Sequence, residues 1–169
     1  MRSLFVCLAL GACGITDFDV DQPVQEQMVA GSPIPGPLQL LFPIPLNLDI
    51  SAQIKAKDTG PIDSVTLKSL TLSITPTDEP TGDSDDWSFL TSVDVYVSST
   101  KSGTALPKVK IASASSPGAV QDVKFTVEPG VNLKPYIDEG STVEGQCSGN
   151  APPDDVSYDG SASFTVHPL

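Results

Sequence analysis

From Leu46 onward, apolar side chains take every second place over long stretches. Leu46, Leu48, Ile50, Ala52, Ile54 and Ala56 alternate with Asn47, Asp49, Ser51, Gln53, Lys55 and Lys57. Successive side chains of an extended chain point to opposite faces, so this spacing predicts a strand over 46–56 with one buried and one wet face. Val65 and Leu67 continue the pattern. Leu70, Leu72 and Ile74 resume it with the parity reversed, which predicts a bulge or bend near Lys68-Ser69. Further alternating runs carry Val93, Val95 and Val97, then Val109 and Ile111, then Val123, Phe125 and Val127, then Val143, Gly145 and Cys147. In the last run Val156, Tyr158, Gly160, Ala162, Phe164 and Val166 share one face.

Turn formers separate these runs: Asp58-Thr59-Gly60-Pro61, Pro80-Thr81-Gly82-Asp83, Ser115-Ser116-Pro117-Gly118, Glu128-Pro129-Gly130 and Asn150-Ala151-Pro152-Pro153. Helical spacing is confined to Leu133, Tyr136 and Ile137, with Pro135 in the first turn, where its missing N–H costs nothing. The expected class is therefore all-β: an antiparallel β-sandwich of about 7–9 strands with at most one short helical turn. The layout resembles the immunoglobulin and fibronectin type III sandwiches in architecture, without the Cys–Trp–Cys signature of antibody domains.

Upstream the character changes. Asp17-Phe18-Asp19-Val20-Asp21-Gln22 is acidic and alternating. Pro33, Pro35 and Pro37 follow, then Phe42-Pro43-Ile44-Pro45. Repeated prolines fix φ and remove donors, so 13–37 reads as an acidic, Pro-rich tether. The apolar residues from Leu38 onward make 38–169 the sandwich domain.

Met1-Arg2 supplies one positive charge ahead of the uncharged run Ser3–Leu10, and Gly11-Ala12-Cys13 closes it. A basic end, an apolar stretch and small residues read as an export signal over 1–12, too short to span a bilayer. Leu10-Gly11-Ala12-Cys13 resembles the lipobox of bacterial lipoproteins. The resemblance implies cleavage before Cys13, a diacylglycerol on its sulfur, and an amine that is acylated in turn. Gly14 in the next position is similar to an outer-membrane sorting signal, which implies a protein of the bacterial cell envelope anchored to the outer membrane. With Cys13 acylated, Cys147 is left as a lone thiol; without acylation, an oxidising compartment permits a Cys13–Cys147 disulfide.

Lys and Arg number 9 against 21 Asp and Glu, a net charge of −12. A phosphate backbone repels such a chain and no basic patch offsets the repulsion, so nucleic acid is excluded as a partner. The expected partners are the membrane, through the lipid, and a protein or polymer met by the loops.

Three sets of residues carry candidate chemistry. Asp78, Glu79, Asp83, Asp85 and Asp86 crowd one loop, and hard oxygen ligands in that density suit Ca²⁺, although the EF-hand pattern is missing. Asp154, Asp155 and Asp159 form a second acidic region that the sheets could bring alongside. Trp87, beside the first loop, is a candidate ligand contact, for instance on a sugar, against the alternative of a core anchor. These residues support an alternative reading as a Ca²⁺-dependent adhesion or carbohydrate-binding domain. Gly145-Gln146-Cys147-Ser148-Gly149 resembles, with Cys for Ser, the nucleophile elbow of α/β-hydrolases, and His167 is the single candidate base. The elbow needs a helix after it, whereas Asn150-Ala151-Pro152-Pro153 follows. Cys147 also shares the inward face with Val143. The pattern therefore favours a buried thiol and a non-enzymatic protein.

Overall fold

A computed structural model of the chain describes residues 16–34, 36–38, 41–42, 44–77 and 84–169. The strands are β1 (Phe18–Val29), β2 (Pro37–Leu38), β3 (Leu41–Phe42), β4 (Ile62–Thr75), β5 (Leu90–Ser99), β6 (Val109–Ser115), β7 (Asp122–Lys124), β8 (Thr126–Val127), β9 (Ser141–Asn150) and β10 (Val156–Pro168). Two short helices, α1 (Ser51–Ala56) and α2 (Lys134–Glu139), and a 3-10 turn over Trp87–Phe89 complete the described residues.

The strands form two antiparallel sheets. One runs β1-β10-β4-β7; the other runs β2-β9-β5-β6-β8, with β3 also on β9. The pairing is nested: β1 with β10, β2 and β3 with β9, β4 with β7, β5 with β6. This is the order of a jelly roll, in which a long strand pair is rolled into two Greek keys. The antiparallel sandwich is thus the one the alternation predicts, while the wiring within that class departs from the immunoglobulin layout. There the last strand sits in the sheet of its predecessor. Here β10 leaves the sheet of β9 and inserts between β1 and β4.

The facing sheets bury the predicted residues. Val156, Ala162, Phe164 and Val166 of β10 are buried together with Tyr158, and Val93, Val95 and Val97 oppose them from β5. The reversed parity in β4 has the predicted cause. Ser163 pairs with Ser69 and the next residue, Phe164, pairs with Leu67, so Lys68 is an extra residue and both Leu67 and Leu70 point inward.

Two segments differ from the sequence reading. Residues 18–29 are not tether: they form the 12-residue edge strand β1, paired with β10 along its length. Val20, Gln22 and Val24 face the core, and Asp19 and Asp21 face solvent. The acidic alternation that suits an extended linker suits a guarded sheet edge equally well, and Pro23 is tolerated where no further strand needs its N–H. The second difference is at 46–56. Ile44, Leu46, Leu48 and Ile50 are buried alternately, as predicted, but no ladder forms. Local acceptors satisfy the backbone instead: the N–H of Leu46 donates to the Ile44 carbonyl at 2.7 Å and that of Ile50 to Leu48 at 2.9 Å. The N–H of Asp49 donates to Asn47 Oδ1 at 2.8 Å and that of Ser51 to Asp49 Oδ1 at 3.2 Å. Side chains that bond their own backbone compete with a sheet. From Ser51 the chain turns helical, over residues that are mostly good helix formers. α2 occupies the predicted helical turn, with Leu133 and Tyr136 buried beneath it.

Candidate functional site

The two ends of the sandwich differ in chemistry. Strand direction places the start of β1, the segment 44–61 with α1, the connection 100–108 and α2 at one end. The turns 30–34, 84–89, 116–121 and 151–155 lie at the other.

At the first end a cleft of about 400 Å³ opens between α1, α2 and the start of β4. Ile54, Ile62, Val65 and Ile137 give it apolar walls; Lys55, Asp58, Lys134 and Asp138 add charge. α1 contributes no fully buried residue; Ile54 packs half-buried against the core and the rest of the helix is exposed. Thr59, which also lines the cleft, is 7% exposed, and its Oγ1 is buried without a hydrogen-bond partner. Lys134 Nζ is engaged by Asp138 across one helical turn at 2.5 Å. The chain enters β1 beside this cleft: Phe18 pairs with Val166, and Val166 with Val65. Lys57 Nζ lies 6.0 Å from the Phe18 ring centroid.

α2 is fastened at its far end by Glu139. Its carboxylate accepts from Thr104 Oγ1 at 2.6 Å, Ser99 Oγ at 2.9 Å and Lys101 Nζ at 3.2 Å. The hydrogen bonds from Thr104 and Ser99, then Lys101, hold its pKa below the usual carboxylate value. A carboxylate so lowered stabilises the folded state above its unfolded pKa, and the contribution is lost as pH falls through the folded one. Glu139→Gln is therefore expected to flatten the acid limb of the melting temperature measured between about pH 2 and pH 6. Its melting temperature should lie below the parent's at the top of that range and meet it at the bottom.

At the opposite end the two acidic turns converge, as the sequence suggested they could. Asp85, Asp86 and Asp154 line a cleft of about 190 Å³ with Phe89, Pro152 and Val156. Their oxygens are partly committed: Asp86 Oδ1 caps the 3-10 turn through the Ser88 N–H at 2.9 Å, and the neighbouring Asp155 accepts from the Gly31 N–H at 2.8 Å. Among the described residues no group of three or more His, Cys, Asp or Glu is placed to hold a metal ion. Asp78, Glu79 and Asp83 lie outside the described residues, as does Cys13.

Trp87 is no surface contact. It is 0% exposed, stacked on Phe89 at 5.8 Å and edge-on to Tyr158 at 5.5 Å, with its indole N–H donating to the Gln121 carbonyl at 2.9 Å. Its large apolar surface is worth more in the core than on a loop.

Cys147 and His167 are not brought together. Cys147 lies in β9 opposite Val93 and packs on the core. Burial, and secondarily the neighbouring Cys147, push the Tyr158 hydroxyl pKa up. His167 lies in β10, in the other sheet, opposite in alternation to the buried Val166. Its Nδ1 meets Asp17 Oδ2 at 2.8 Å and its Nε2 lies 3.4 Å from Thr66 Oγ1. This Asp-His-Thr row copies the sequence of groups in a hydrolytic triad, and only the β1-β10-β4 register reveals it. The 3.4 Å separation is long for a hydroxyl–nitrogen hydrogen bond. The row continues a cross-strand polar surface in which Asp19 accepts from Thr165 at 2.9 Å and pairs with Lys68. These contacts tie the edge strand β1 to its neighbours.

No helix among the described residues is long and apolar enough to cross a membrane. No family model and no curated protein matches the chain. Among solved structures, one chain of turnip yellow mosaic virus is similar at 17% identity and TM-score 0.26, covering 100% of this chain and 92% of that one. One of Desmodium yellow mottle tymovirus is similar at 16% identity and TM-score 0.26, covering 100% and 93%.

Proposed function

We propose that the protein is a lipid-anchored, non-enzymatic β-sandwich of a bacterial envelope, anchored at Cys13 and presenting loops to a protein or polymer partner. The observation that carries the reading is the apolar run closed by Leu10-Gly11-Ala12-Cys13. Small residues before the thiol admit a peptidase, and the thiol, giving up its proton, displaces the phosphate headgroup of a phospholipid to form a thioether to its diacylglyceryl group. Cleavage between Ala12 and Cys13 then frees an amine for a further acyl chain. One chain holds a membrane marginally, whereas several hold it stably. The non-catalytic part of the reading is supported by the separation of Cys147 and His167 into different sheets.

The test is detergent phase partitioning of the full chain expressed in a bacterium. The parent is expected in the detergent phase. Cys13→Ala, or the parent made in globomycin, is expected to lose the mature lipidated form, with Cys13→Ala moving to the aqueous phase. A Cys13→Ala variant that partitions as the parent does would refute the anchor.

A further inference from the structure

We infer that the end of the sandwich built from α1, α2 and the connection 100–108 is the surface that rests on the bilayer, so that the protein stands end-on with its acidic turns outermost. This rests on the anchor proposed above, and two independent features favour it.

The first is chain length. β1 begins at Phe18, and its register with Val166 and Val65 puts that start at the α1/α2 end. Consecutive Cα atoms are about 3.8 Å apart, so the Cα of Cys13 lies within roughly 11 Å of that of Thr16 whatever path the chain takes. A lipid on Cys13 therefore holds this end at the headgroups. A tether running to residue 37 would have left the orientation open; a strand beginning at Phe18 does not.

The second is charge. The segments at the α1/α2 end hold five of the eight lysines: Lys55, Lys57, Lys101, Lys108 and Lys134. The acids of these segments and of the strand ends beside them are Asp17, Asp49, Asp58, Asp63, Glu128, Asp138, Glu139 and Glu144, and Lys101, Lys108 and Lys134 are ion-paired with Glu139, Glu144 and Asp138, so this end mixes both signs. The described turns at the opposite end carry Asp85, Asp86, Asp154 and Asp155 and no lysine or arginine. Anionic headgroups repel fixed carboxylates and attract lysines within about a Debye length, roughly 8–10 Å. An anionic bilayer thus favours the end that holds lysines over the end whose described turns hold carboxylates alone. Lys55 and Lys57 lie exposed on or beside a helix with no fully buried residue, Lys57 with its Nζ near the Phe18 ring. β10 spans 13 residues, and at about 3.3 Å of rise each it holds the acidic turns roughly 40 Å from the headgroups.

The test uses the acylated full chain in a Cys147→Ala background, reconstituted into vesicles of phosphatidylethanolamine and phosphatidylglycerol that include a headgroup-spin-labelled lipid. A fluorophore is placed at Gln53→Cys on α1 or at Ala119→Cys in the far turn, both exposed positions. Each labelled variant is first matched to the parent by circular dichroism. The variants are expected to float with the vesicles, with the label at 53 quenched at least about threefold more than the label at 119, which is held roughly 40 Å away. Floating protein with equal quenching, or stronger quenching at 119, overturns the orientation and leaves the anchor standing. Protein that does not float overturns the anchor and the orientation with it.

Discussion

Replacing Trp87 with alanine is expected to remove roughly 3–5 kcal/mol of stability, the usual range for deleting a fully buried large aromatic. The side chain is 0% exposed and wedged between Phe89 and Tyr158, 5.8 and 5.5 Å away by ring centroids. Truncation would leave a cavity that the two remaining rings could fill in part. The Gln121 carbonyl, which accepts from the indole at 2.9 Å, would lose its donor. In a domain of this size the loss corresponds to a fall of roughly 10 °C in melting temperature. Trp87→Phe keeps most of the apolar volume and loses the hydrogen bond, so it should recover more than half of the difference. Thermal unfolding of the three proteins provides the comparison. An alanine variant that melts with the parent would mean that Trp87 is not in the core.

Gly160→Val is expected to be at least as damaging, from the opposite cause. Gly160 lies in β10, between β1 and β4, and pairs with Val24 on one side and Leu72 on the other. A Cβ there would fall 2.3 Å from the Thr71 carbonyl oxygen and 2.8 Å from Leu72 Cδ2. The oxygen belongs to the backbone of a central strand and cannot swing aside as a side-chain end can. Relief requires β4 and β10 to separate, in a sheet that also holds the edge strand β1. Ordinary overpacking costs about 1–3 kcal/mol, and a clash with a ladder carbonyl lies at or above that upper limit. The neighbouring Ser161 is exposed on the outer face, so Ser161→Val should stay within about 0.5 kcal/mol of the parent. Urea unfolding of the pair separates the two faces of one strand; equal midpoints would contradict the packing described here.

These two residues also show what the sequence makes legible. Gly160 falls in an alternation that runs from Val156 to Val166 without interruption, and the inward face it predicts is the inward face found. The parity change around Lys68 was readable for the same reason: two inward leucines at an odd spacing require an extra residue between them. What the pattern does not hold is partner identity. Alternation marks a buried face, and any of several strand orders buries it. The nested jelly-roll order depends on which strands meet across the sheet, a long-range choice with no local signature.

β1 was hidden by its own protection. Gln22 fills an inward place, Asp19 and Asp21 the outward ones, and Pro23 reads as a break, so an edge strand looks like a linker. α1 was hidden by ambiguity, because Ile50 and Ile54 fit both a period of two and a helical i, i+4 spacing. Asn47 and Asp49, which take over the backbone donors, decide against the ladder. The Asp17-His167-Thr66 row illustrates the same limit at a site: three residues spread over 150 positions are joined by register, and nothing near His167 announces the other two.

The proposed anchor requires that Cys13 carry the lipid and become the first residue of the mature chain. The intact mass of the detergent-extracted protein, with fragmentation of its N-terminal peptide, tests this most directly. The expected chain begins at Cys13 and is heavier than residues 13–169 by a diacylglyceryl group and an amide-linked acyl chain. An unmodified Cys13, whether in a chain that retains residues 1–12 or in one cut elsewhere, would contradict it.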